Sequence, residues 1–156
     1  MSDQTTAIEV VAGDPRDPQA TALLQASHAL MQELFDPEDN HYLSIDDLCI
    51  PSIQFFVARE GAQTLGCVAL ANKGSYGEIK SMFVDPSARG KGIAHKLMSQ
   101  LDAAARAAQL TAIKLETGDK LKEAHGLYYA HGFEDCDPFG DYEANSSSIF
   151  MTKSLT

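Results

Sequence analysis

The chain has 156 residues, of which 44% are hydrophobic, and its 12 Lys/Arg against 22 Asp/Glu give a formal net charge of −10. That length supports one core-bearing domain over residues 1–156, and the composition excludes a disordered or low-complexity chain. The acidic balance excludes broad nucleic-acid binding, and no run approaches the roughly 18 apolar residues of a membrane span.

The opening Met1-Ser2-Asp3-Gln4-Thr5-Thr6 is neither basic nor apolar, so a cytoplasmic protein is expected. Ala7-Ile8-Glu9-Val10-Val11 reads as a first strand, stopped by Gly13, Asp14 and Pro15. Ala22, Leu23, Ala26, Leu30 and Leu34 then recur at helical spacing, which predicts a helix over about 18–34. A short second helix is expected to start at the capping candidate Ser44, with Ile45 and Leu48 inward, and to end at Pro51. Three β-rich runs follow, Ile53 to Arg59, Thr64 to Ala71 and Tyr76 to Val84, joined by turn residues as an antiparallel meander. Ile93, Leu97, Leu101 and Ala105 form the stripe of a long helix to about Gln109. A strand over 111–117, a helix from Leu121 to His131 stopped by Gly132, a short strand from Phe133 and a last one over 148–152 complete the chain. The order predicts an α+β fold around one mixed sheet.

Between the third meander strand and the long helix lies Asp85-Pro86-Ser87-Ala88-Arg89-Gly90-Lys91-Gly92-Ile93-Ala94. A glycine-rich turn that opens a helix aims backbone N–H groups and the positive end of the helix dipole at one point, a place for an anion such as a phosphate. Charge is distributed to match. Residues 73–122 hold nine Lys/Arg against five Asp/Glu, or +4, which leaves −14 elsewhere. A P-loop pattern GxxxxGK[ST] is absent, and a dinucleotide turn fails because position 95 is His and a meander, not a parallel crossover, precedes it. Cys49, Cys67 and Cys136 lack CxxC spacing, and His28, His41, His95, His125 and His131 lack ligand spacing, so neither a disulfide nor a metal is expected.

Arg89-Gly90-Lys91-Gly92-Ile93-Ala94, preceded by Ile79-x-x-Met82-x-Val84-x-Pro86 and followed by Ala124-x-x-Leu127-Tyr128-x-x-x-Gly132-Phe133, resembles the GCN5-related N-acetyltransferase (GNAT) family. Pro138-Phe139-Gly140-Asp141-Tyr142 and the closing Phe150-Met151-Thr152-Lys153 resemble a bacterial acetyltransferase subgroup of unsettled substrate. The resemblance implies a three-layer α/β/α fold whose mostly antiparallel sheet splays at its central strands. It also implies acetyl-CoA as co-substrate, its pyrophosphate on the backbone N–H groups of Gly90, Lys91, Gly92, Ile93, Ala94 and His95, beside Arg89. Met82, Phe83 and Val84 would pair with the pantetheine arm. Family members often carry Asn seven residues before the helix tyrosine, where this chain has Leu121.

The same resemblance assigns Tyr128 to the position beside the departing sulfur. A phenol with pKa near ~10 does not readily protonate a thiolate near ~8.5, but it donates a hydrogen bond as charge develops. The resemblance also makes Glu78, in Gly77-Glu78-Ile79, the candidate base, since it occupies the strand position where histone-type members carry a catalytic glutamate, with Glu116 able to share the task. A carboxylate near ~4.3 facing an ammonium near ~10.4 calls for a raised pKa or a relay water. A main-chain N–H near Val84 would polarise the carbonyl. Tyr129 is read as packing.

Residues 18–58 contain no Lys or Arg, while Glu33, Asp36, Glu38, Asp39, Asp46 and Asp47 cluster there, which favours a cationic small-molecule or peptide amine as acceptor. His28, His41, Asn72 and Tyr142 are further candidates to line its site. The expected activity is direct acetyl transfer without an acyl-enzyme. The alternative is a non-catalytic acyl-CoA-binding module that regulates a partner. A toxin acting on aminoacyl-tRNA lacks its expected basic surface. A homodimer is a family-based expectation only.

Overall fold

The computed structural model describes residues 7–40 and 42–156. Ten principal elements follow the expected order: β1 (Ile8–Ala12), α1 (Pro18–Leu34), β2 (Ile53–Glu60), β3 (Gln63–Asn72), β4 (Tyr76–Val84), α2 (Ile93–Ala107), β5 (Ala112–Gly118), α3 (Lys122–Ala130), β6 (Glu134–Asp135) and β7 (Ser148–Ser154). One expectation is corrected. The segment after Ser44 forms a single 3-10 turn, Asp47–Cys49, rather than a helix. The Ser44 Oγ does accept from the Asp47 N–H at 3.1 Å, but Asp46 holds the cap position of the turn and Pro51 leaves too few residues to propagate an α-helix.

Local chemistry explains the helix starts. The Asp17 carboxylate accepts from the N–H groups of Gln19 at 3.1 Å and Ala20 at 3.4 Å, and Pro18 occupies the first turn, where no N–H is needed. Gln19 then ties α1 to the β2–β3 turn: its Nε2 donates to the Ala62 carbonyl and its Oε1 accepts from the Thr64 N–H, both at 2.8 Å.

The seven strands form one sheet in the order β1-β2-β3-β4-β5-β7-β6. All neighbours are antiparallel except β4 and β5, whose connection passes through α2. Alternation along the strands divides the core. Phe56, Ala58, Val68, Leu70, Ile79, Ile113 and Leu115 pack with Ile93, Leu97 and Leu101 of α2 and Tyr128 of α3. Phe55, Val57, Cys67, Ala69 and Phe83 pack on the opposite face with Ala20, Leu23 and Leu24 of α1. The layers are thus α1, sheet, then α2 with α3, as the resemblance implied.

Two irregularities open the middle of the sheet. The β4–β5 pairing covers only Tyr76–Glu78 against Ala112–Lys114, so the strands diverge beyond Glu78. Across β3, Cys67 faces Phe83 while Ala69 faces Lys80, so Ser81 and Met82 oppose Val68 alone in a β-bulge. Ser81 has φ +57°, an uncommon conformation for a non-glycine residue, and it turns the strand at the fork.

The far end of β5 is closed by α1. A Cβ at Gly118 would lie 2.1 Å from Cζ of Phe35, so only glycine lets that ring sit on the strand. Gly118→Ala is expected to displace Phe35 and cost about 1–3 kcal/mol, read as a lower midpoint in thermal unfolding.

Candidate active site

The divergence of β4 and β5 creates a slot of about 110 Å³ that passes through the sheet. Its walls are Ile79 to Met82 of β4 and Leu115 to Gly118 of β5. Tyr128 closes it from α3, while Ser27, Met31 and Phe35 border it from α1. A second cavity of about 720 Å³, the size of a small-molecule pocket, lies over β4 on the α1 side. Glu78 lines it with Tyr76, Tyr142, Leu43 and Glu38, and Lys80 and Tyr42 line both spaces. The two cavities therefore meet at Lys80 and Tyr42.

The glycine turn stands at the end of β4. Gly90 and Gly92 have φ of +85° and +76°, and Gly92 caps α2 in the left-handed region. Among the described residues, and chain neighbours aside, no atom lies within 4 Å of where a Cβ would stand at either glycine. Backbone conformation, and whatever approaches from outside, therefore set the glycine requirement. The first intrahelical bond here runs from the Lys96 N–H to the Gly92 carbonyl at 3.1 Å, so the N–H groups of Ile93, Ala94 and His95 belong to the unpaired first turn. Arg89 and Lys91 are exposed at the turn, with Glu123 at 4.0 Å and Glu60 at 3.6 Å as loose ion partners. The His95 side chain turns aside to meet His131, Nδ1 to Nε2 at 2.8 Å.

Met82, Phe83 and Val84 carry the strand from the fork to the turn, and none of them pairs with β5. Their β5-facing edge is therefore open to an extended arm. The Ser81 Oγ is buried without a hydrogen-bond partner, a polar group left over in the slot wall. The unpaired stretch of β4 beyond Glu78, the Ser81 hydroxyl and the open glycine turn fit a pantetheine-phosphate ligand along β4. Leu121 lines the slot as well.

Tyr128 is 5% exposed, and burial, then the charge of Glu116, pushes its hydroxyl above the ordinary tyrosine range. It stays a donor. The neighbouring Tyr129 does not pack in the core: it is 46% exposed, and its hydroxyl donates to Asp135. Glu78 is buried where the strands part, with Lys80 Nζ at 3.4 Å from its Oε2 and the Tyr142 hydroxyl donating to the same oxygen at 2.5 Å. Glu116 borders the slot and accepts from the Ser148 hydroxyl at 2.7 Å. Glu78 and Tyr128 thus line adjoining cavities rather than one shared wall.

The remaining candidates divide. Tyr142 lines the larger cavity. His28 stacks behind Tyr42 with ring centroids 4.2 Å apart, and burial lowers its pKa. Asn72 spends its side-chain oxygen on the Gly74 N–H. His41 lies outside the described residues. Of the acidic cluster, Glu38 reaches the cavity wall, whereas Asp46 pairs with Arg16 at the surface. Tyr42 and Lys80 were not singled out from sequence, because nothing local marks a residue that borders two cavities.

The buried phenols predict alkali sensitivity. Tyr142, like Tyr128, is pushed upward, by burial and then by its hydrogen bond to Glu78. Above about pH 10 the unfolded chain loses protons that the folded chain keeps, so the stability present below that pH falls as pH rises. Denaturation midpoints are expected to drop from about pH 9 to pH 11, and to drop less in Tyr128→Phe.

No helix among the described residues is long and apolar enough to cross a membrane, and no group of three or more His, Cys, Asp or Glu side chains there could hold a metal. A family model of the acetyltransferase (GNAT) domain matches residues 51–135, from β2 through β6. The chain is 37% identical over 150 residues to an IAA acetyltransferase of Azospirillum brasilense, covering 95% of this chain and 98% of the relative. A Klebsiella pneumoniae structure described as an acyl-CoA N-acyltransferase superposes with TM-score 0.80 at 28% identity, covering 96% and 98%. The PaiA N-acetyltransferase of Thermoplasma acidophilum, solved in complex with coenzyme A, shares the fold with TM-score 0.73 at 15% identity, covering 96% and 99%. With the slot, the glycine turn and the buried phenol in hand, these likenesses establish that the chain belongs to the GNAT family and is an acetyl-CoA-dependent acyltransferase.

Proposed function

We propose that the enzyme moves an acetyl group directly from acetyl-CoA to the amine of a small molecule or peptide, the two substrates entering from opposite faces of the sheet. The through-sheet slot that meets the larger cavity at Lys80 and Tyr42 carries this reading. The backbone N–H groups from Gly90 to His95 receive the pyrophosphate, and the open edge of Met82, Phe83 and Val84 receives the pantetheine arm. When bound, the thioester supplies an activated acetyl carbon and a thiol leaving group.

In the larger cavity Glu78 takes the proton that the amine nitrogen loses as the N–C bond forms, through a water where the acceptor stands back from it. A main-chain N–H near Val84 holds the carbonyl oxygen as charge grows on it. Tyr128 donates a hydrogen bond to the sulfur as the C–S bond breaks and coenzyme A departs as the thiolate, the raised pKa keeping the phenol a donor; the thiolate takes its proton from solvent and Glu78 returns its own there. The cavity wall carries Glu38, Glu78, Asp141 and Glu143 against Lys73 and Lys80, a balance that favours a cationic acceptor.

Thiol release from acetyl-CoA, measured against spermidine, glucosamine, lysine and IAA, tests the reading. Amine-dependent release identifies the acceptor class. Binding of acetyl-CoA without release from any amine favours the regulatory acyl-CoA-binding module instead.

A further inference from the structure

We propose that Tyr142 is a positioning residue, which holds the Glu78 carboxylate in the orientation that leaves one oxygen for the acceptor; this rests on the reading of Glu78 as the base. Among the described residues, two hydrogen bonds reach the Glu78 side chain and both fall on Oε2: the Tyr142 hydroxyl donates at 2.5 Å and Lys80 Nζ at 3.4 Å. Lys80 Nζ also donates to the Tyr142 oxygen at 2.8 Å, which closes a three-membered ring of contacts. Among the described residues no donor reaches Oε1, the oxygen left for an acceptor.

A glutamate side chain has three rotatable bonds, and holding it in one rotamer costs entropy that these donors offset. Burial strengthens the constraint, because Glu78 is only 4% exposed and a buried carboxylate that loses a donor is penalised. Tyr142 is itself fixed from outside the site. Its ring meets Phe139 at 5.2 Å and Phe150 at 5.5 Å, and its N–H donates to the Phe139 carbonyl in a tight turn. Its hydroxyl remains protonated under burial, so it acts as a donor to the carboxylate and does not compete for the acceptor's proton. The device spans 64 positions of sequence, from the last segment before β7 to the fork in β4.

The test uses a double-mutant cycle and a crystal structure. Tyr142→Phe keeps the ring packing and removes the hydroxyl. Its crystal structure is expected to show the Glu78 carboxylate in a different rotamer or in several, and an unmoved carboxylate overturns the proposal. With the amine of the panel that gives the fastest thiol release, Tyr142→Phe is expected to lower kcat about tenfold with the KM for acetyl-CoA unchanged. Glu78→Gln is expected to lower kcat about 100-fold, and the double variant no further than Glu78→Gln alone. Effects that multiply in the double variant overturn the positioning role while leaving the base in place. Wild-type turnover in Glu78→Gln overturns the base assignment itself. Because the double variant also takes the Glu78 carboxylate and the Tyr142 hydroxyl away from the buried Lys80, the melting temperature of every variant is measured alongside, and a loss of turnover is read only where the fold is kept.

Discussion

Replacing Tyr128 by Phe is expected to lower kcat about 100-fold while leaving the affinity for acetyl-CoA within about twofold of wild type. The hydroxyl is the only group removed, and the ring stays against Phe133, 5.9 Å between centroids, so the core on the α2 side is kept. The loss falls on kcat because the donor matters as charge builds on the sulfur, not while the thioester is simply bound. Burial raises the hydroxyl pKa, so the donor is not titrated away near pH ~10 as an exposed tyrosine would be. Steady-state thiol release and calorimetric titration on the same preparation separate the two parameters. A kcat within twofold of wild type would leave Tyr128 a core aromatic with no part in the chemistry.

The second large effect is expected at the glycine turn. Gly92→Val forces a β-branched residue to φ +76°, a conformation that costs of order 1–3 kcal/mol. Because no atom of the described residues, chain neighbours aside, stands within 4 Å of the new Cβ, the added side chain meets no internal clash and projects into the space where a phosphate would approach. The Kd for acetyl-CoA should rise about 100-fold, equivalent to about 2.7 kcal/mol. The backbone strain also lowers the unfolding midpoint, so affinity is measured at a temperature where the variant is fully folded. Unchanged affinity would mean that the turn serves only the strand-to-helix connection.

Local signals carried most of the architecture. The helical stripe Ile93, Leu97, Leu101 and Ala105 is buried as its spacing required, and β2, β3 and β4 pair as an antiparallel meander. Gly90 and Gly92 marked a glycine-rich turn, and the structure gives both a positive φ, where few other residues sit without strain. The segment after Ser44 misled because capping chemistry says where a helix starts and not how far it runs. Ser81 gave no warning of its positive φ, since serine has no marked preference for that region and the bulge depends on the pairing of β3.

The site was legible only where a motif lies within one stretch of chain. Tyr128 was reachable through its spacing to Gly132 and Phe133, and the structure puts it in the slot wall. The grip of Tyr142 on Glu78 is a contact between distant segments, and Tyr42 joins the two cavities through a loop with no periodic pattern. Tertiary placement alone separates Tyr142, which lines the cavity, from His28 and Asn72, which are spent on stacking and on a turn.

The central claim is that acetyl-CoA lies along the open edge of β4, with its reactive end in the through-sheet slot. A crystal structure of the complex with coenzyme A tests it most directly. The account predicts the pyrophosphate on the N–H groups between Gly90 and His95, and the sulfur within hydrogen-bond reach of the Tyr128 hydroxyl. A pantetheine arm that leaves β4 before Met82, or a sulfur on the far side of the sheet from Tyr128, would contradict it.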